Sequence, residues 1–149
     1  MICLVTLARF LTRIVAPVAC VLLVAGCNGT ATGPSSTAPF SQVDLRLGSG
    51  TEAAPGNELT VNYTGWLYDP TQTDSKGLVF DTSLNTEPLI FTLGVQQVIQ
   101  GWDQGIPGMK VGGTRKLVIP SSLAYGGVRN HSIPPYATLV FEIELLDVK

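Results

Sequence analysis

The 149-residue chain holds a single histidine, His131, set between Asn130 and Ser132 in a stretch rich in Gly and Pro. With no second histidine and no carboxylate cluster beside it, His131 reads first as a solvated surface group rather than a general base. The three cysteines, Cys3, Cys20 and Cys27, all lie near the start. The remainder offers no thiol nucleophile, no disulfide and no cysteine metal site. Carboxylates are scattered, and neither a Gly-x-Ser-x-Gly elbow nor a phosphate-cradling loop is present. Metal hydrolysis, phosphoryl transfer and triad chemistry are disfavoured. An enzyme made from this set has to work without a metal, a cofactor or strong acid–base chemistry. What the sequence supplies instead is a group of large side chains: Tyr63, Phe80, Val98, Ile99, Trp102, Tyr125, Ile133 and Phe141. Patterning alone assigns each of them to an ordinary core more readily than to the wall of a pocket.

The elements that must position these residues are mostly strands. In Asn57–Leu67, the residues Leu59, Val61 and Tyr63 alternate with Thr60, Asn62 and Thr64, which predicts a half-buried strand. Thr114–Pro120 predicts another, stopped by Pro120. Ala137–Val148 is the clearest, with Leu139, Phe141, Ile143 and Leu145 on one face. Pro88–Gly94 is a shorter candidate; Pro88 lacks an N–H for the ladder and belongs at the strand's first position or on an edge. Val98, Trp102 and Ile106 fall at i, i+4 and i+8, one stripe of a short helix that Pro107 and Gly108 end. Gly101 and Gly105 make that helix weak on its own, so packing must hold it. Asp69–Gly77 and Gly126–Pro135 read as loops, and Ile133 is an apolar residue in the second, able to rim a pocket or dock on the core. The fold class is α+β: an antiparallel sheet with one short helix against its inner face.

The overall composition, 45% hydrophobic and 13% charged, is skewed by the N-terminus. Arg9 and Arg13 precede the mostly apolar run Ile14–Ala25, the pattern of a secretory signal. That run is shorter than the roughly 20 residues that span a bilayer. It ends in Leu23-Val-Ala-Gly-Cys27, which resembles a bacterial lipobox, although an ordinary cleaved signal with an incidental cysteine fits the same residues. On the lipobox reading Cys27 becomes a lipid-bearing N-terminus, and several acyl chains anchor far more firmly than one. Asn28–Pro39 is small, polar and rich in Gly, Pro, Ser and Thr, a flexible tether. The expected organisation is a signal over residues 1–26, a lipidated terminus and tether over 27–42, and one domain over 43–149. The whole chain carries 9 Lys and Arg against 11 Asp and Glu, a net charge of −2. No basic excess exists to neutralise phosphates, so nucleic acid is not an expected partner.

Six motifs occur in order: Tyr63-Thr-Gly65, Phe80-Asp-Thr-Ser83, Val98-Ile-Gln-Gly-Trp102, Gly105-Ile-Pro-Gly-Met-Lys-Val-Gly112, Leu123-Ala-Tyr-Gly126, and the run from Ile133 through Pro134, Pro135 and Phe141 to Leu146. Together they closely resemble the FKBP family, the macrolide-binding peptidyl-prolyl cis/trans isomerases, over about Asp44 to Val148. The resemblance implies a five- or six-stranded antiparallel sheet wrapped around a short helix. It implies a pocket floored by Trp102 and lined by Tyr63, Phe80, Val98, Ile99, Ile133 and Phe141, with Leu89 and Gln97 completing the substrate-binding set. The Ile99 N–H and the Tyr125 hydroxyl would donate to carbonyls of the bound molecule. Asp81 would border the pocket and orient polar groups, including Tyr63. Asp81, Tyr125, Ile99 and Trp102 are the implied catalytic residues.

The implied partners are proline-containing polypeptides and macrolide ligands, with membrane contact through the lipid anchor. A monomer in a bacterial cell envelope, acting on exported proteins, is the expectation. Binding of a proline-containing partner without turnover is the other reading of the same residue set. A surface-adhesion or virulence role is compatible with either. The sequence departs from the family at Leu89, where an aromatic is common, and at Tyr136, which replaces a commonly polar residue. The segment between Tyr63 and Phe80 is longer than in minimal members, and the loop from Tyr125 to Pro134 is slightly shorter.

Overall fold

The computed structural model describes residues 37–149. The signal-like segment, Cys27 and the first part of the expected tether lie outside the described residues. Six strands form one antiparallel sheet in the order β1-β5-β6-β2-β3, with β4 also paired to β2. The organising strand is β2 (Glu58–Tyr68). Its alternation is the expected one: Leu59 and Val61 are fully buried, and Thr60 and Asn62 point to the other face. On one side β2 pairs along its length with β6 (Leu139–Val148), in the register Val61↔Leu145, Tyr63↔Ile143 and Gly65↔Phe141. Leu139, Ile143 and Leu145 of β6 are fully buried, while Glu142 and Glu144 face outward, as period-2 patterning requires. β5 (Thr114–Ile119) follows on β6, burying Leu117 and Ile119 and stopping at Pro120.

The other side of β2 is shared between two short strands. β4 (Leu89–Thr92) pairs with residues 58–61, and β3 (Lys76–Thr82) pairs from Thr64 to Tyr68. Pro88 immediately precedes β4, which among the described residues pairs with β2 alone, so its missing N–H costs no ladder bond. β3 starts at Lys76, so the last two residues of the expected loop 69–77 belong to the sheet. The rest of that loop folds back over the outer face. There Lys116 donates to the Asp74 carbonyl, and the Lys76 ammonium sits 4.7 Å from the centre of the Trp66 ring and pairs with Glu142. β1 (Ser41–Arg46) completes the sheet along β5.

The helix, α1, spans Gln100–Gly105, shorter than the expected stripe from Val98 to Ile106. Side chains stop it from starting earlier. Asp103 accepts hydrogen bonds from the N–H groups of Gly94 (2.8 Å) and Gln96 (3.2 Å), and Gln97 Oε1 accepts from the Thr92 N–H (2.8 Å). These bonds hold residues 92–97 as a turn, with Gln96 at φ 62°, and leave Ile99 extended as the N-cap. Val98 therefore projects from the turn rather than from the helix. Trp102 and Ile106 keep their expected inward positions, and both are buried. Pro107 and Gly108, the latter at φ 82°, end the element. Among the described residues no helix is long and apolar enough to cross a membrane.

Candidate active site

Trp102 projects from α1 toward the inner face of the sheet and is only 3% exposed. Three rings pack on it. Tyr63 from β2 stands edge-on at 5.2 Å between centroids, Phe141 from β6 edge-on at 5.3 Å, and Phe91 from β4 tilted at 5.8 Å. These separations and angles are those that aromatic quadrupoles favour. Phe80 closes the cluster against Phe141 at 5.5 Å.

Phe80 and Asp81 are consecutive in β3, yet both reach the same cavity. The pairing explains how. Gly65 lies opposite Asp81 and Trp66 opposite Val79, so Phe80 is an extra residue on one strand. Such a bulge re-aims side chains that would otherwise alternate across the sheet. Gly65 makes the room: a Cβ there would lie 2.6 Å from the Phe80 ring and 2.9 Å from the Phe141 ring. The glycine of the Tyr-Thr-Gly motif is thus where two aromatic side chains cross the backbone.

The resulting cavity, about 360 Å³, has Trp102 with Tyr63, Phe80 and Phe141 among its walls. Leu89, Gln96, Gln97, Val98, Ile99, Asp81 and Tyr125 complete the lining. All the expected catalytic and substrate-binding residues but one are gathered here. The exception, Ile133, is 5% exposed and belongs to the hydrophobic core. It lines a second cavity, about 510 Å³, together with Asn130, His131 and Ser132. The two spaces share Phe80, Asp81 and Tyr125. His131 is thus placed on the wall of the neighbouring cavity, its Nδ1 2.7 Å from Asn130 Oδ1. Gln96 is the cavity residue the sequence did not announce. Its left-handed backbone leaves no signature in a non-glycine residue.

The polar groups of the site are tied together. Tyr63 donates its hydroxyl proton to Asp81 Oδ2 at 2.6 Å, and Asp81 Oδ1 accepts the Thr82 N–H at 2.9 Å. Partial burial pushes the Tyr63 phenol well above the ordinary tyrosine range, and the bond to Asp81 with its negative charge pushes it further. Tyr125 is raised as well, by burial first and by the Asp81 charge second. Both phenols are therefore neutral hydrogen-bond donors at any physiological pH. At the N-terminal side of α1, the Ile99 N–H is taken by no backbone carbonyl among the described residues, while its C=O accepts from Trp102 and Asp103.

Together these features define an open antiparallel sheet over one short helix, with a concave aromatic-walled cavity. The model of the family "FKBP-type peptidyl-prolyl cis-trans isomerase" matches residues 49–146. An FK506-binding protein of Neisseria meningitidis serogroup B is 54% identical over 107 residues, covering 70% of this chain and 92% of that protein. The peptidyl-prolyl cis-trans isomerase FPR2 of Saccharomyces cerevisiae is 54% identical over 101 residues, 66% of this chain and 70% of that one. Among solved structures, AtFKBP13 superposes with a TM-score of 0.64 at 38% identity, covering 76% of this chain and 98% of that chain. The chain belongs to the FKBP-type peptidyl-prolyl cis-trans isomerase family, and it is a rotamase.

Proposed function

We propose that this protein isomerises Xaa-Pro bonds of exported polypeptides by holding a twisted amide in the aromatic cavity, without covalent or metal chemistry. The observation that carries this reading is the convergence of Trp102, Tyr63, Phe80 and Phe141 on one concavity that Asp81, Tyr125 and Ile99 also line. A planar amide resists rotation by roughly 18–20 kcal/mol because resonance must be broken. Uncatalysed Xaa-Pro isomerisation takes tens to hundreds of seconds. Twisting the C–N bond reduces its charge separation, so an aromatic-walled space disfavours the planar amide more than the twisted one. The prolyl ring sits on the Trp102 indole. The Ile99 N–H and the Tyr125 hydroxyl take the flanking carbonyls, and Asp81 holds Tyr63 in place. Binding that strengthens only as the amide twists is differential transition-state binding. Lowering the barrier by about 7 kcal/mol corresponds to about 10⁵-fold in rate.

The same cavity suits a macrolide, whose bulk would cover the aromatic walls while its carbonyls meet the two donors. The lipobox-like Leu23-Val-Ala-Gly-Cys27 supports the further reading that the protein is lipidated at Cys27 and tethered at a membrane of the bacterial cell envelope, where it acts as a monomer. An NMR exchange measurement on a short Xaa-Pro peptide, free of coupling protease, tests the enzymatic reading. Accelerated exchange is expected; peptide binding with an unchanged exchange rate would leave only a binding module. Palmitate labelling of the full chain tests the anchor. Label lost in Cys27→Ala supports it, and label retained refutes it.

A further inference from the structure

We propose that Ser83 is a positioning residue of the site: its hydroxyl replaces a missing strand carbonyl, fixes the Tyr63 backbone, and thereby holds the Tyr63–Asp81 hydrogen bond in register. This inference rests on the reading of the cavity given above. Its origin is a gap in the sheet. On the side of β2 away from β6, β4 pairs only as far as Val61 and β3 begins only at Thr64. Asn62 and Tyr63 fall between them. An unpaired buried N–H in such a gap is costly, so the gap needs a partner.

Ser83 supplies it. The β2–β3 register, Thr64↔Thr82 and Gly65↔Asp81, continues to Tyr63 opposite Ser83. In a regular ladder these two residues would exchange both backbone bonds. Here one is regular, the Ser83 N–H donating to the Tyr63 carbonyl at 3.0 Å. The other is not: the Tyr63 N–H donates to Ser83 Oγ at 2.9 Å instead of to the Ser83 carbonyl. That carbonyl is turned away to accept the Thr86 N–H at 3.0 Å, closing the turn that leads out of β3. The hydroxyl in turn donates to Asn62 Oδ1 at 3.2 Å. Thr82 Oγ1 adds a bond to the Tyr63 carbonyl at 3.1 Å. Ser83 is 4% exposed, one of the few buried polar residues.

The arrangement ends β3 one residue past Asp81 without loosening it. Asp81 must reach diagonally across to the Tyr63 phenol, and a shift of either backbone would open that bond. A methyl group at residue 83 can satisfy neither the Tyr63 N–H nor Asn62.

Ser83→Ala, Ser83→Thr and Asn62→Ala are compared with Leu145→Ala, a core substitution on β6 opposite Val61 and outside the lining of the aromatic cavity. Each folded variant is read in two ways: the titration of the Tyr63 phenol, followed by NMR of its ring carbon and assigned with Tyr63→Phe, and kcat/KM on an Xaa-Pro peptide. Ser83→Ala is expected to bring the Tyr63 titration down toward that of a free tyrosine and to lower kcat/KM by about three- to tenfold, the scale of a lost buried hydrogen bond. Ser83→Thr restores both, and Leu145→Ala moves neither, although it is the less stable protein. If Ser83→Ala does not fold, Asn62→Ala decides, because it frees the hydroxyl and moves both readouts the same way by less. An unchanged Tyr63 titration in the Ser83→Ala protein, or in Asn62→Ala where that variant decides, overturns the proposal. The titration does not depend on turnover, so wild-type protein without isomerase activity would refute the enzymatic reading while leaving this test intact.

Discussion

Gly101 on α1 lies so close to Ile119 on β5 that a Cβ at residue 101 would stand 2.4 Å from Ile119 Cγ2. Gly105, one turn on, has the same relation to Leu117, at 2.7 Å. The two residues that weaken the helix locally are the ones that let it seat on the sheet. Without that close approach, Trp102 could not lie beneath Tyr63 and Phe141. Gly101→Ala should therefore destabilise the protein, although alanine is the better helix former by about 1 kcal/mol. Overpacking of this kind costs about 1–3 kcal/mol. Urea unfolding is expected to show a lower midpoint at an unchanged slope. Combined with Ile119→Ala, the cost should be less than the sum of the two single changes. A midpoint at or above wild type would show that the backbones can separate freely.

The helix shows what could and could not be read in the sequence. The spacing of Val98, Trp102 and Ile106 located it and its inward face. The start was misplaced because Asp103 and Gln97 compete for backbone N–H groups of the preceding turn, and no periodicity encodes that competition. β2, β5 and β6 were legible because each has one buried face. β1 was not: all six of its residues are exposed, so no alternation distinguishes it from tether. β3 was hidden in the same way by its bulge at Phe80, which breaks the period of two. The cavity residues were found through ordered motifs rather than patterning, which cannot tell an aromatic wall from an aromatic core. Ile133 illustrates the point, since it is both a core residue and the wall of the neighbouring cavity.

The raised phenol of Tyr63 predicts a specific pH dependence. In the unfolded chain a tyrosine titrates near 10; in the fold, burial and Asp81 raise it. The folded state thus holds the proton more tightly. The associated stability is complete below about pH 10 and is lost as pH rises toward the folded value. Urea midpoints of wild type and Tyr63→Phe, measured from pH 8 upward, should run parallel at first. Above pH 10 wild type should fall more steeply. Tyr125, raised for related reasons, remains in both proteins, so the variant keeps part of the slope. Parallel curves at every pH would mean that Tyr63 is not held against Asp81.

Arg115 fastens β1 to the end of the helix. It is 6% exposed and grips Asp44 through two bonds, Nε to Oδ1 at 2.6 Å and Nη2 to Oδ2 at 3.1 Å. Its Nη1 donates to the carbonyls of Gly105 at 2.8 Å and Pro107 at 3.1 Å, which lie where a helix end leaves acceptors unsatisfied. Arg115→Met retains much of the packing volume but strands the two carbonyls and the Asp44 charge. Removing one partner of a buried pair costs about 3–5 kcal/mol, and the lower end applies because Asp44 is partly solvated. Because Arg115 lies outside the aromatic cavity, kcat/KM of the folded fraction should stay near wild type. A loss of activity larger than the loss of folded protein would show that β1 and the helix end transmit strain to the pocket.

Tyr125 separates a donor role from a wall role. Tyr125 lines both cavities, and its hydroxyl is the side chain's only hydrogen-bond donor for a substrate carbonyl. Tyr125→Phe keeps the ring and removes the donor. If the hydroxyl bonds the twisted amide more strongly than the planar one, kcat/KM falls by about two- to tenfold, the equivalent of about 0.5–1.5 kcal/mol. The loss should appear in kcat, because an interaction gained only on twisting does not contribute to ground-state binding. Tyr125→Leu removes ring and donor together, and the additional loss beyond Tyr125→Phe measures the wall. Were Tyr125→Phe to raise KM alone with kcat unchanged, the hydroxyl would hold the substrate equally in both states and would not be part of the catalytic machinery.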